Sequence, residues 1–299
     1  MGELSYIFHG KGIFYIFVQK NYMNVMQKSL TLIGFFISLF LYSQTNRFVY
    51  ELQYRRDSTE DYRKTLMNLD ISAKTVKFYD QTFAEYDSIN KAAGTTVSKY
   101  STKTDQIISR EINSNKNNWY RDFFDYFVVK TNDEMAWKVM QETKNYNGYL
   151  LQKAVTNFGG RSWTAWFSKE VDINEGPYKF RGLPGLIFLL EDTEKNFSYQ
   201  LKKNVKLPQT YDTNDFVETH FGKKAITVTN QKFNAYLEDL YLNPTRMLSE
   251  NIKNGGKANF KNENIESIEE LNSKKGMLQN GIKGRYIFIE KDKQPNFKK

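Results

Sequence analysis

The chain has 299 residues, 40% of them hydrophobic and 16% aromatic, enough apolar surface for a sizeable core and too much for a disordered polypeptide. It holds no cysteine, which excludes a disulfide framework, a thiol nucleophile, a Cys-based metal site and a lipid anchor on a leading cysteine. The net charge of +9 comes from lysines spread along the chain among acids, so the charge pattern does not point to nucleic acid.

The first segment with a recognisable purpose is 26–43, MQKSLTLIGFFISLFLYS. Lys28 supplies a positive start, 30–41 is an apolar run, and Leu41-Tyr42-Ser43 resembles a small-residue cleavage site. That is the layout of a secretory signal peptide, with an uncleaved anchor as its rival. The run is shorter than the ~20 residues that span a bilayer, so no stable transmembrane anchor is expected after cleavage. Residues 1–25 carry a second apolar stretch interrupted by His9 and Lys11 and read as an over-extended N-terminus, or else as one arm of a membrane hairpin. Residues 44–299 are then expected to form a single mature domain in the periplasm or cell envelope.

In the mature part, NRFVYELQYRR alternates Phe48, Tyr50, Leu52 and Tyr54 with Val49, Glu51, Gln53 and Arg55, the period of a half-buried strand. Short strands follow at 67–71 and 75–80. Phe83, Tyr86 and Ile89 have helical spacing, which predicts a helix over 81–92. Strands are predicted at 119–130, 135–143, 149–158 and 161–170. The segment Asn157-Phe158-Gly159-Gly160-Arg161 makes a hairpin, because glycine accepts the positive φ of a tight reversal. On the last strand Trp163, Ala165 and Phe167 face one way and Trp166 the other.

The segment GPYKFRGLPGLIFLLED (176–192) is the densest in turn residues. Leu183-Pro184-Gly185-Leu186 fits a type II turn, and Gly182 allows close backbone approach before it. The run LIFLL (186–190) is apolar at every position, so both of its faces should be covered. A hairpin returns through 197–203. Beyond it the character becomes helical over 212–280: a helix is predicted over 229–252, kinked or split at Pro244, and another over 262–275. RYIFIEK (285–291) reads as a closing strand. The expected fold is α+β and mostly β, with strands over 46–205: a curved antiparallel sheet or open half-barrel with C-terminal helices on one face.

Ala165, Trp166, Phe167, Gly176, Pro177, Phe180, Gly182, Leu183, Pro184, Gly185, Leu186 and Ile187 together resemble the signature of the GLPGLI family, the Porphyromonas-type exported proteins of Bacteroidetes. The resemblance spans about 47–205. It implies export to the envelope and no particular activity.

The chemistry is sparse. A glycine-rich turn can cradle an anion when a helix follows; here a strand follows, and no Lys-Ser/Thr pair accompanies the glycines. His220 lies near Asp212, Asp215 and Glu218, so a hydrolase using carboxylates or His220 is one alternative. No catalytic residue, metal or cofactor is expected under the preferred reading: binding of a hydrophobic ligand or an outer-membrane partner. An accessory role in an uptake system is the third reading. The binding residues proposed on this basis are Trp163, Trp166, Phe180, Gly182, Leu183, Pro184 and Gly185, with ordinary core filling as the competing role for the aromatics.

Overall fold

The computed structural model describes residues 44–95, 103–260 and 263–297; the signal-peptide and start-site expectations for 1–43 lie outside the described residues. Two antiparallel meanders share one sheet. The first contains β1 (Thr45–Tyr54), β2 (Arg63–Ile71), β3 (Thr75–Asp80), β4 (Ile107–Glu111), β5 (Lys116–Phe123) and β6 (Asp125–Asn132), with helix α1 (Gln81–Ala93) after β3. The second contains β7 (Lys138–Tyr146), β8 (Tyr149–Phe158), β9 (Arg161–Ser168), β10 (Leu186–Asp192) and β11 (Phe197–Leu207). Strands β1 and β11 pair antiparallel from Thr45↔Leu207 to Tyr54↔Phe197 and join the halves. A short strand, Ile226–Val228, adds parallel to β6 and completes twelve strands. The chain is mostly β in content, and the sheet is mixed only at that edge and not closed into a barrel. Register shifts at Val49/Tyr50 and Ile187/Leu189 mark bulges, which bend a strand and sharpen its twist.

The sequence reading of 119–130 as one strand is corrected. The chain reverses at Phe124, whose φ of +55° lets Phe123 pair with Asp125. No glycine or proline marks this turn, so its sequence looks like uninterrupted strand. β4 and the parallel edge strand also escaped prediction, being short and flanked by polar segments.

Helix α2 (Asn230–Leu242) starts at Thr229, whose side chain accepts from the Lys232 amide, and ends at Asn243 before Pro244. Helix α3 (Arg246–Lys253) resumes after the proline, as the missing amide proton demands. A hairpin, Ala258–Phe260 with Glu263–Ile265, occupies the start of the predicted 262–275 helix. Helices α4 (Ile268–Ser273) and α5 (Lys275–Lys283) follow.

One face of the first meander presents Trp119, Phe123, Phe127 and Val129 to Phe233 and Leu237 of α2. Its other face presents Tyr79, Tyr120, Tyr126 and Val128 to Phe83 of α1 and to Phe216 and Val217 of the π-helical turn Asn214–Glu218. The C-terminal helix α2 therefore packs on one face, as expected, and a smaller set of elements covers the reverse. Strand β10 is covered on both sides as expected: Leu186, Ile187 and Leu190 lie in the main core, while Phe188 meets Tyr149 of β8 at 4.8 Å between ring centroids.

The predicted closing strand 285–291 is also corrected. It is an irregular strap that joins no ladder of the sheet among the described residues and makes one isolated bridge, Thr104↔Ile287, outside the named strands. Its other backbone groups bond elsewhere: Ile289 O accepts from Arg161 Nε at 2.8 Å, and the Lys291 amide donates to Gly159 O at 2.7 Å. Tyr286, Ile287, Ile289 and Glu290 are all buried. A segment buried on both sides needs no partner strand to look apolar throughout.

Candidate functional site

The turn segment 176–185 is built by backbone geometry. Tyr178, fully buried, takes a φ of +56°, a left-handed conformation that costs a bulky residue energy and must be held by its surroundings. Pro177 O accepts from the Phe180 amide at 3.1 Å, closing the turn that points Lys179 inward. The predicted type II turn is replaced by a tighter one: the Gly185 amide donates to Leu183 O at 2.8 Å, a γ-turn centred on Pro184. Gly185 has the positive φ expected of it, +143°, but the close backbone approach expected at Gly182 is found at Gly185 instead. Gly182 has open space at its Cβ position and is needed for its φ of +92°; at Gly185 a Cβ would stand 2.0 Å from Ser168 O.

The residues singled out from the sequence separate into three groups. Trp163, Phe180 and Leu183 meet in the core, with the Trp163 and Phe180 rings 4.7 Å apart. Trp166 lies on the opposite face under the ammonium of Lys144, 4.0 Å from its ring centroid. Gly182, Pro184 and Gly185 form the turn beside them.

The sequence reading passed over the charges inside this segment. Lys179 has no exposed surface, and its Nζ donates to Glu290 Oε1 at 2.7 Å and pairs with Asp133 Oδ2 at 3.1 Å. Lys293 pairs with the same two carboxylates, at 2.6 Å from Glu290 Oε2 and 3.0 Å from Asp133 Oδ1. The Tyr178 hydroxyl donates to Glu290 Oε1 at 2.5 Å. Beside this cluster, Arg110 and Arg181 share Glu175, and Arg121 pairs with Asp105 while its guanidinium lies 4.1 Å from the Trp119 ring centroid. A lysine between two aromatics in a glycine-punctuated stretch was the available signal, since surface lysines rarely need such neighbours.

Burial works to raise the Glu290 and Asp133 carboxyls, but the ammoniums of Lys179 and Lys293 outweigh it and hold both below their ordinary range. Burial pulls the Lys179 ammonium down, against the pull of the two carboxylates. Depressed carboxyls stabilise the folded state above their unfolded values near ~4 and lose that contribution as pH falls through the lower folded ones. The lysine has the opposite effect, costing stability at neutral pH that returns only towards strongly alkaline pH. The strap is therefore expected to stay docked from neutral pH to about 4 and to detach below it. Amide hydrogen exchange at 287–293, followed against pH, checks this; protection unchanged at pH 2 would contradict it.

A separate opening lies at the end of the β5–β6 turn. Phe123 and Phe124 of the turn, Leu240 and Pro244, Leu248 of α3, and Met277, Leu278 and Ile282 of α5 line a cavity of about 840 Å³. Small-molecule sites typically hold about 300–1,000 Å³ and are mainly apolar with a few polar groups. Here the polar groups include Asn243, Asn280, Asp122 and Arg285. Arg285 Nη2 donates to Asp122 Oδ2 at 3.0 Å, and Tyr286 donates to Asp122 O, so the strap pins the turn that makes the wall. Gln279 Nε2 donates to Tyr241 O at 2.9 Å and ties α5 to α2. None of the seven residues proposed from the sequence lines this cavity.

His220 is half-buried, its ring centroid 5.4 Å from Tyr126 and 5.2 Å from Phe221. Burial pushes its pKa below the ordinary imidazole value, with Asp122 opposing and Lys223 and Arg285 adding to the shift. The nearby acids do not converge on it: Glu218 pairs with Lys77 at 2.6 Å, and Asp212 accepts from the Asn214 amide. Among the described residues no group of three or more His, Asp or Glu is arranged to hold a metal ion, and no helix is long and apolar enough to cross a membrane.

A family model described as "Protein of unknown function (Porph_ging)" matches residues 160–189, the β9 strand and the turn segment just described. No curated protein sequence matches the chain. Among solved structures, two crystal forms of PNGF-II are similar at 12% and 11% identity, each with a TM-score of 0.47 and each covering 64% of this chain. The matched region is about a third of the PNGF-II chain, 32% and 33% in the two forms.

Proposed function

We propose that this is an exported envelope protein that binds a hydrophobic ligand and has no catalytic step of its own. The ligand site is the cavity between the β5–β6 turn and helices α2, α3 and α5, and the observation that carries the reading is its size together with its wall of Phe, Leu, Met and Ile side chains. Binding there buries apolar surface at roughly 25 cal/mol per Å². The turn segment 176–185 and the strap act as scaffold: they hold Arg285 and Tyr286 against Asp122, and so hold the cavity wall. Export rests on the apolar run and cleavage pattern of 26–43.

Gly281 offers a clean test. It lines the cavity, and a Cβ built on it meets no heavy atom within 4 Å. Gly281→Phe should fill the space without disturbing the fold, and should leave helix α5 no less stable, since glycine is the poorer helix former by up to ~1 kcal/mol. Fluorescence titration with 1-anilinonaphthalene-8-sulfonate is expected to show binding to the wild type and at least a roughly tenfold loss in the variant, the effect of a lost ~1.4 kcal/mol. A wild type that takes up no dye and carries no bound species in native mass spectrometry would remove the proposal.

A further inference from the structure

We infer that the ligand of this cavity is an anionic amphiphile, an apolar chain ending in a carboxylate, whose head is received by the free edge of Arg285. This rests on the cavity being the ligand site. Arg285 is the only cationic side chain lining it among the described residues. Its Nε and Nη2 donate to Asp122, at 3.4 and 3.3 Å to the carbonyl and, from Nη2, at 3.0 Å to Oδ2. Nη1 donates to no protein atom among the described residues, and the side chain keeps 30% of its exposure. A guanidinium has five donors in a planar fork, and this one has only part of the fork satisfied. The rings of Phe123 and Tyr286 lie 5.4 and 5.5 Å from its central carbon, within cation–π range, and fix the guanidinium in place beside the cavity.

The rim does not favour a cation. The Asp122 carboxylate is committed to Arg285, and Asp125, the other acid at this turn, is committed to Lys223, whose Nζ also contacts Phe124 O at 3.4 Å. Asn280, exposed on the lining and without a side-chain partner among the described residues, can add a neutral donor to a carboxylate. The apolar end of the ligand has the Leu240, Leu278 and Ile282 surface to cover.

Phe124 supplies the closure. It is a phenylalanine in the left-handed region, 65% exposed, at the mouth of the cavity. Both properties are unfavourable in the free protein, and strain of this kind concentrates at ligand clamps. The Phe124 ring meets only the edge of Phe123 among the aromatic contacts of the described residues, 5.4 Å between centroids, and with a chain bound it gains a further apolar partner.

The experiment compares laurate, lauryl alcohol and laurylammonium by isothermal titration of the full chain, below their micellar concentrations. Laurate should bind roughly tenfold tighter than the alcohol, the effect of one charge-assisted hydrogen bond, and laurylammonium weakest. Arg285→Gln should abolish the preference for laurate over the alcohol, and any loosening of the wall it pins should weaken both probes alike. Thermal melting identifies a variant that has not folded, and Arg285→Lys, which keeps the charge, should retain most of the preference. Phe124→Gly relieves the strained φ, so it should fold and weaken all three probes several-fold. Equal binding of acid and alcohol by the wild type, or tightest binding of laurylammonium, overturns the head-group inference and leaves the apolar site standing. Absence of binding by all three removes the site and the inference with it.

Discussion

Lys179→Met is expected to lower the stability of the folded chain by about 3–5 kcal/mol, the loss measured when one partner of a buried ion pair is deleted. Lys179 has no exposed surface and faces two carboxylates that are themselves buried, Glu290 and Asp133. Without it, Lys293 alone must neutralise both, and the Tyr178 hydroxyl still donates to a carboxylate short of a counter-charge. The double variant Lys179→Met/Glu290→Gln should recover a substantial part of the loss, because it removes the orphaned charge along with its partner. Equilibrium urea unfolding at neutral pH measures both. A single variant within ~1 kcal/mol of wild type would mean that the cluster is hydrated and that the burial argument is wrong.

Gly185→Ala should be as damaging, for a steric reason. Its Cβ would stand 2.0 Å from Ser168 O and 2.6 Å from the Ser168 carbonyl carbon, both backbone atoms of the end of β9 that cannot swing aside. The φ of +143° adds a conformational penalty on top. Because β9 and β10 pair directly at Ser168↔Leu186, relief requires separating two strands in the middle of a meander. We expect a loss of at least ~3 kcal/mol, the large end of what single substitutions produce. Gly182→Ala is the control: its φ is also positive, but open space surrounds it, so only the backbone penalty of ~1–2 kcal/mol applies. Thermal melting of the two variants side by side separates steric from conformational cost. Equal losses would show that Gly185 is needed for its backbone angle alone.

The alternation of Phe48, Tyr50, Leu52 and Tyr54 and the Gly159-Gly160 hairpin were legible because each is decided by residues within one or two turns of chain. Pro244 divided α2 from α3 for the same reason: a proline acts on its own helix. The reversal at Phe124 was not legible, since an aromatic residue in a left-handed turn is held there by Arg285 and Tyr286, far away in the chain. The strap imitated a strand because two layers bury it, and composition does not distinguish a ladder from a sandwich of unlike neighbours. The candidate site was hidden most thoroughly. Its walls are drawn from residues 122–124, 240–248 and 277–285, and nothing in any one of these stretches differs from ordinary core. Lys179 was overlooked because sequence reading credits lysine to the surface, and its burial is set by partners 111 positions downstream and 46 upstream, at Glu290 and Asp133.

That long span has a kinetic consequence. Until the stretch carrying Glu290 has docked, the ammonium of Lys179 and the aromatic floor around Trp119 and Phe158 face an open, wet trough. Both meanders can zip up beforehand, since their neighbours are close in sequence, whereas drying of the trough waits for the late-arriving segment and closes a loop of more than a hundred residues. A chain caught between those two moments would carry two finished meanders with a sticky, uncovered interior, the kind of exposed apolar surface that makes a folding intermediate prone to aggregate.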